Sequence, residues 1–359
     1  MLRCKKIVAL ALCSLLIEPA WALDEFFDTY QSGSCLAQGN ACTASVSGYA
    51  SHFYNPAGFT RFRKKKVELH LVVGEGQSNG QSAETLLSTK ATGLSQLFIP
   101  FQNNPNHYQF FSFSTLPAIT FRNFSFALLG NYQVAALSTG SDLDIDARQD
   151  IIPSLGYSHH FAGNVLRLGV SVKAMYRNQM KGVFQHSGLN GLSEKEVNAL
   201  FQEGLGLRVD SGILLVLPHR FLPTLGISWM NMLDTIFRGT HYLNPQSSGA
   251  PEKIPQSFHA GFSLSPKLSH HWTSTFSIDY RNLESYQFSW KKHLHVGLEL
   301  QSNNILFLWA GLNQMYLTGG LGARFTGGHL ELGTYAKEVG AQDNYQEDRR
   351  YFLRYTISF

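Results

Sequence analysis

The chain closes on YFLRYTISF, Tyr351 to Phe359, in which Tyr351, Leu353, Tyr355, Ile357 and Phe359 occupy every second position. Period-two alternation describes a strand with one apolar face, and Phe352, Arg354, Thr356 and Ser358 then point the opposite way. A wall with hydrocarbon outside and a polar lumen inside needs that pattern. A half-buried strand of a soluble sheet shows it too, so the remainder of the chain has to decide between them.

The first 22 residues favour export. Arg3, Lys5 and Lys6 precede an apolar run from Ile7 to Ile17, too short to span a bilayer as a helix, and Ala20-Trp21-Ala22 fits a signal-peptidase site. Residues 1–22 are therefore expected to be a signal peptide, with the mature chain starting at Leu23. Its removal leaves 26 basic and 24 acidic side chains, a net charge of +2 that gives no reason to expect a nucleic-acid partner. The isolated basic run Arg61 to Lys66 suits a membrane-water boundary, beside outer-membrane lipid.

Composition points the same way. Aromatics at 13%, charged residues at 15% and 32 glycines fit a chain whose apolar residues are dispersed by alternation. No mature segment carries 18 consecutive apolar residues, which excludes helical membrane spans. Cys35 and Cys42 are the cysteines left after the signal, seven apart in SCLAQGNAC, and an oxidising compartment predicts one small disulfide loop. A metal or redox pair would need other spacing and a companion histidine, so no metal or cofactor is expected.

From Lys66 onward the period-two pattern repeats. In one segment Leu166, Leu168, Val170, Val172, Ala174 and Tyr176 alternate with Arg167, Gly169, Ser171, Lys173, Met175 and Arg177; in another Leu294, Val296, Leu298 and Leu300 alternate with His293, His295 and Glu299. The pattern predicts strands at 66–75, 107–121, 123–138, 146–160, 164–181, 203–217, 221–237, 253–266, 270–282, 290–301, 304–314, 316–327, 329–339 and 349–359. That is an all-β, transmembrane antiparallel β-barrel of about 14 strands, and an even number returns both ends to the same side. Every second connection is short, such as Arg122-Asn123 or Thr326 to Gly328. The other set is mostly longer: 76–107, 139–145, 182–202, 239–252, 282–289 and 340–349, with a tight exception at Gln314-Met315. Ser193 with Glu196 forms a capping box for a helix to about Gln202, and a second helix is expected over 82–97.

Between Leu23 and the first strand lie over 40 residues with poor alternation, whose aromatics Phe26, Phe27, Tyr30, Phe53 and Tyr54 favour a segment folded inside the barrel. Here FYNPAGFTRF, Phe53 to Phe62, resembles the N-P-A signature of the FadL family of outer-membrane long-chain fatty-acid and hydrocarbon transporters. The placement of Asn55-Pro56-Ala57-Gly58 directly before the first strand and after a Gly/Ala/Ser-rich stretch carries the resemblance. It implies a 14-stranded barrel (66–359) plugged by an N-terminal hatch (23–65), and a ligand pocket contacted by the mature N-terminus. Leu23, Phe26 and Phe27 stand at that end; Asn55, Pro56, Ala57 and Gly58 are the gating candidates. The resemblance further implies a hydrophobic small molecule, a fatty acid or hydrocarbon, that leaves sideways through the wall. The chain lacks the acidic pair often found before the motif. A terminal Phe359 on an amphipathic strand also resembles the signal read by the barrel-assembly machinery.

Enzymatic chemistry is not expected. His293, His295 and Glu299 point inward without a G-x-S-x-G nucleophile, and the pairs His159-His160 and His270-His271 sit at turns. The function that follows is passive transport of long-chain fatty acids or similar hydrophobic molecules across the bacterial outer membrane. A secretion or surface-attachment accessory of related N-P-A-G type and a nonspecific porin are the alternatives.

Overall fold

The structure is a computed structural model and describes residues 25, 26, 28–61, 67–80, 82, 106–189, 191–239, 241–340 and 345–359. The strands in chain order are β1 (Val67–Asn79), β2 (Tyr108–Thr115), β3 (Ala118–Phe121), β4 (Phe124–Thr139), β5 (Asp142–Phe161), β6 (Leu166–Gln185), β7 (Gln202–Val216), β8 (Thr224–Met230) and β9 (Phe237–Arg238). They continue with β10 (Ser257–Leu264), β11 (Trp272–Tyr280), β12 (Leu294–Ser302), β13 (Leu306–Asn313), β14 (Tyr316–Phe325), β15 (Gly328–Glu338) and β16 (Glu347–Ser358). β2 and β3 both lie between β1 and β4, so they are two halves of one wall strand, while β9 only edges β7. Fourteen antiparallel staves remain. The last pairs with the first, and Phe359 exchanges both backbone bonds with Leu69. Closure leaves no sheet edge, which is the condition for a β-structure to stand in hydrocarbon.

The alternation sorts as the sequence predicts. On β16, Tyr351 and Leu353 are more than half exposed on the outside, whereas Arg350, Phe352 and Arg354 are buried inside. On β6, Leu168, Val170 and Val172 face out while Ser171, Lys173 and Arg177 are buried. Among the described residues no helix is long and apolar enough to cross a membrane.

Several boundaries differ from expectation by four residues or more, and four of the differences have a clear local cause. β1 runs on to Asn79 instead of stopping at 75, because a bulge between His70 and Val72 inserts one residue and exchanges the two faces. His70 and, beyond the bulge, Glu75 and Gln77 all point inward and are buried. The expected loop 139–145 is a tight turn at Gly140-Ser141, since Asp142, Asp144 and Asp146 alternate with Leu143, Ile145 and Ala147 as strand. The expected strand 221–237 ends at Met230, where Asn231, Leu233 and Asp234 take positive φ. The second wall strand is broken at Leu116-Pro117, as proline cannot donate to a ladder.

The capping box at Ser193 and Glu196 is present and opens a helix at Glu194–Ala199. That helix and the turn His186–Leu189 cover outward-facing Val134, Ala136, Leu143, Ile145, Ala147 and Met180, making a small core on the tall β4-β5-β6 portion of the wall. The helix expected over 82–97 falls almost wholly outside the described residues, as do residues 1–22 and 62–66.

Replacing Val170 with Arg would place a charge on the outward face of β6. At the middle of a bilayer this costs about 2–4 kcal/mol. Denaturant titration of the barrel in liposomes should give a loss in that range, and much less for a substitution of Lys267 in a connecting loop.

Candidate functional site

Residues 28–61 lie inside the barrel. A short helix at Gly33–Ala37 is followed by 3-10 turns at Gly48–His52 and Pro56–Arg61. Cys35 and Cys42 form a disulfide with their Cα atoms 5.9 Å apart, closing the bend between the helix and the first 3-10 turn.

The segment lies flat on the inner wall because the wall offers glycines where it passes. A Cβ added at Gly212 of β7 would stand 2.0 Å from Asn55 Oδ1, and one at Gly169 of β6 would stand 2.2 Å from the carbonyl carbon of Pro56. The same close approach recurs around the barrel. Ala37 passes Gly320 of β14, Gln38 passes Gly297 of β12 and Gly311 of β13, Thr43 passes Gly226 of β8 and Gly261 of β10, and Phe59 passes Gly156 of β5. The chain thus circles the lumen from β14 back to β5 on a track of inward glycines.

Asn55 is fully buried and fastens this path. Its Nδ2 donates to Thr43 O within the segment (3.0 Å) and reaches Ile213 O of β7 and Ile227 O of β8 (3.3 Å each). Its Oδ1 accepts the Ala57 N–H at 3.1 Å, and Gly58 N–H donates back to Asn55 O at 2.9 Å. The motif therefore joins segment to wall and does not serve only as a hinge into β1. His52 spans β5 from above, its two ring nitrogens against Ser171 Oγ and Ser125 Oγ at 3.0 and 3.1 Å. Burial, with Lys173 nearby, depresses its pKa well below the ordinary histidine value, although Asp210 opposes this.

Charge holds the other end. Glu25, buried, accepts from Arg350 (2.9 Å), Lys337 (2.8 Å) and the Tyr108 hydroxyl (2.7 Å). Burial alone would raise its pKa, but Arg350 and Lys337 outweigh it and hold the carboxyl far below the usual range. Asp28 pairs with Arg281 at 3.2 Å, Arg208 donates to Thr29 at 2.7 Å, and Tyr30 donates to Glu75 at 3.2 Å. Arg208 also shares Asp210 with Lys173. His295, read from the sequence as an ordinary lumen residue, bonds Gly39 O at 2.9 Å, and Glu299 accepts from Gln38 and Trp309. His293 instead bonds Arg281 O on the wall at 2.8 Å.

Of the residues expected at the ligand end, Leu23 and Phe27 lie outside the described residues. Phe26 packs edge-on to Phe288 with ring centroids 4.8 Å apart, and Lys292 sits over its face. It lines a cavity of about 240 Å³ between the segment and the ends of β8, β10 and β11. Phe53 and Tyr30 line the same cavity and also join an apolar patch with Leu116, Leu129, Ile152 and Met175 of the wall. That patch stands out in a lumen whose other inward side chains are mostly polar, and it runs to the Leu116-Pro117 break. There the ladder skips Leu71–Val73 of β1, which pairs with β3 up to His70 and with β2 from Gly74.

No family model matches the chain, and no curated protein sequence does. Solved structures do. The toluene transporter TodX of Pseudomonas putida aligns with a TM-score of 0.51 at 11% identity, covering 93% of this chain and 99% of that one. The fold is that of the FadL-type channels. The toluene transporter TbuX of Ralstonia pickettii gives 0.53 at 13% identity, covering 95% and 100%; the CymD monoaromatic hydrocarbon channel gives 0.55 at 11%, covering 91% and 97%. At these identities the FadL-type likeness is one of architecture.

Two substitutions separate the fastenings. Gly212→Ala forces overpacking against Asn55 and should destabilise docking of the segment by about 1–3 kcal/mol. Glu25→Gln leaves the buried Lys337 without its counter-charge and Arg350 with Asp348 alone, a loss of about 3–5 kcal/mol. A thiol at the fully buried Ser51 (Ser51→Cys) reports both as faster labelling by a water-soluble maleimide. Because the native pKa of Glu25 is depressed, its contribution is complete above the free-glutamate value of about 4.3 and fades only as pH falls below it. The ratio of Glu25→Gln to parent labelling rates, which cancels the thiol's own pH dependence, should therefore stay flat from pH 8 to 5.

Proposed function

We propose that this chain is a passive transporter of hydrophobic small molecules in the bacterial outer membrane, with residues 23–65 as its hatch. The observation that carries the reading is the apolar patch inside a polar lumen. It connects a cavity shared with Phe26 and Phe53 to the stretch at Leu116-Pro117 where the wall loses its pairing to β1 while Leu128 N–H still bonds Pro117 O on the β4 side. A molecule of apolar character gains roughly 25 cal/mol for each Å² it takes out of water, so such a strip favours it at each step and offers polar solutes nothing. The break in β2/β3, flanked by the bulged β1, is the place where a ligand passes from lumen to bilayer without crossing the periplasmic side of the plug.

The neighbours in fold support the class of cargo, as TodX and TbuX are toluene transporters and CymD is a monoaromatic hydrocarbon channel. A long-chain fatty acid is the ligand implied by the N-P-A-G resemblance. Phe359, paired to Leu69 at the seam, leaves a 60%-exposed aromatic ring for the assembly machinery.

Uptake of labelled toluene and labelled palmitate into cells or proteoliposomes tests this. Transport of at least one of them should depend on the hatch, so deletion of residues 23–62 should change its rate and open the barrel to ions in planar bilayers. Equal uptake with and without those residues, or copurification of a secreted protein in place of any small ligand, would sink the reading.

A further inference from the structure

We infer that the outer cavity selects a compact, uncharged aromatic molecule bearing a hydroxyl group, in preference to both a bare hydrocarbon and a carboxylate. The inference rests on the transport reading above and narrows its cargo. Size comes first. The cavity measures about 240 Å³, and an apolar cavity of about 150 Å³ already holds benzene. One ring with short substituents fills it. A long acyl chain does not fit within it.

Shape and surface come next. The apolar part of the lining is made by the rings of Phe26, Tyr30 and Phe53, with Met230, Ile254 and Pro255. Aromatic faces and edges of this kind suit another ring. The rest of the lining is polar, beginning at Ser257, the cross-strand partner of Met230, and its chemistry is set by His259. The backbone N–H of Asn282 donates to His259 Nδ1 at 3.1 Å, so that nitrogen carries no proton and the ring proton is on Nε2. Nε2 lies 3.3 Å from Ser257 Oγ and donates to it. The Ser257 hydroxyl therefore accepts one bond from within the protein and keeps its own proton to give. Ser257 lines the cavity beside Asn282, which makes this a prepared donor facing the space the rings leave.

Charge excludes the acid. Among the described residues, Glu25, Asp28 and Glu284 line the cavity, against a single guanidinium, Arg208. Arg208 is already committed through Nε to Asp210 and through Nη1 to Thr29. The cations that balance Glu25 and Asp28, namely Lys337, Arg350 and Arg281, are outside the lining. A carboxylate entering here loses water and meets like charge. A neutral hydroxyl accepts from Ser257 without that loss.

Calorimetric titration of the purified full-length barrel with p-cresol, toluene, p-toluate and decanoate at pH 7, corrected for partition into detergent, tests the preference. The expected result is binding of p-cresol about three- to ten-fold tighter than toluene, the effect of one added hydrogen bond, with p-toluate and decanoate weaker than either. Ser257→Ala should bring the p-cresol to toluene ratio to about one, and Ser257→Thr should restore it, both in barrels that keep heat-modifiable gel migration. Toluene binding as tightly as p-cresol, a ratio unmoved by Ser257→Ala, or tighter binding of either carboxylate overturns the inference while leaving hydrophobic transport standing. If none of the four binds and none is taken up by proteoliposomes, the transport reading itself falls and takes the inference with it.

Discussion

The inner segment can lie against the barrel wall only because main chain meets main chain there. At Gly212 and Gly169 a single methyl would occupy the space of Asn55 Oδ1 and of the Pro56 carbonyl. Any other residue at those two wall positions would lift the N-P-A-G turn off the sheet, and with it the contacts of Asn55 Nδ2 to the carbonyls of Thr43, Ile213 and Ile227. Everything upstream inherits its height and direction from that seat: the His52 bridge between β4 and β6, the Phe53 ring at the cavity, and the disulfide bend that sends residues 33–37 toward β14.

The two ends of the segment are fastened by different physics, and this sets which end is easier to move. Freeing Glu25 leaves Lys337 buried without its partner and Arg350 with Asp348 alone, and an unpaired buried charge is among the most expensive defects a protein can carry. Freeing the N-P-A-G turn leaves behind glycines and the carbonyls of Ile213 and Ile227, which belong to a ladder that persists without Asn55. Shape complementarity is lost there without stranding charge. A displacement that begins at the wall end and pivots about the charged end is the cheaper of the two.

The barrel was legible in the sequence because strand geometry writes directly into alternation, as Leu168, Val170 and Val172 show against Ser171 and Lys173. What escaped were events that alternation does not encode. Beyond the bulge after His70 the residues alternating with inward Glu75, Gln77 and Asn79 are Gly74, Gly76 and Ser78, so no apolar face marks the second half and it reads as loop. Asp142, Asp144 and Asp146 are turn-forming residues by type, which hides the strand that Leu143 and Ile145 complete. The glycine track was invisible for a plainer reason: Gly156, Gly169, Gly212 and Gly226 sit on the inward phase, where a missing side chain looks the same whether it faces water or another backbone. Only the partner distinguishes them. His295 and Glu299 were placed inward by the same alternation, yet what they hold, Gly39 and Gln38, is over 250 residues away in the chain.

Cavity and wall break are separated by the segment's own aromatic rings. Tyr30 and Phe53 pack edge to face with centroids 5.1 Å apart, and both belong at once to the cavity lining and to the patch that ends at Leu116. A molecule moving from one to the other has to displace or rotate them. Phe53 is two residues from Asn55, and Tyr30 is held by Glu75, which the bulge in β1 turns inward. The side chains in the way are thus tied to the seat on the glycine track and to the strand beside the break. Opening the path and loosening the segment are one structural event, because the same few residues close both.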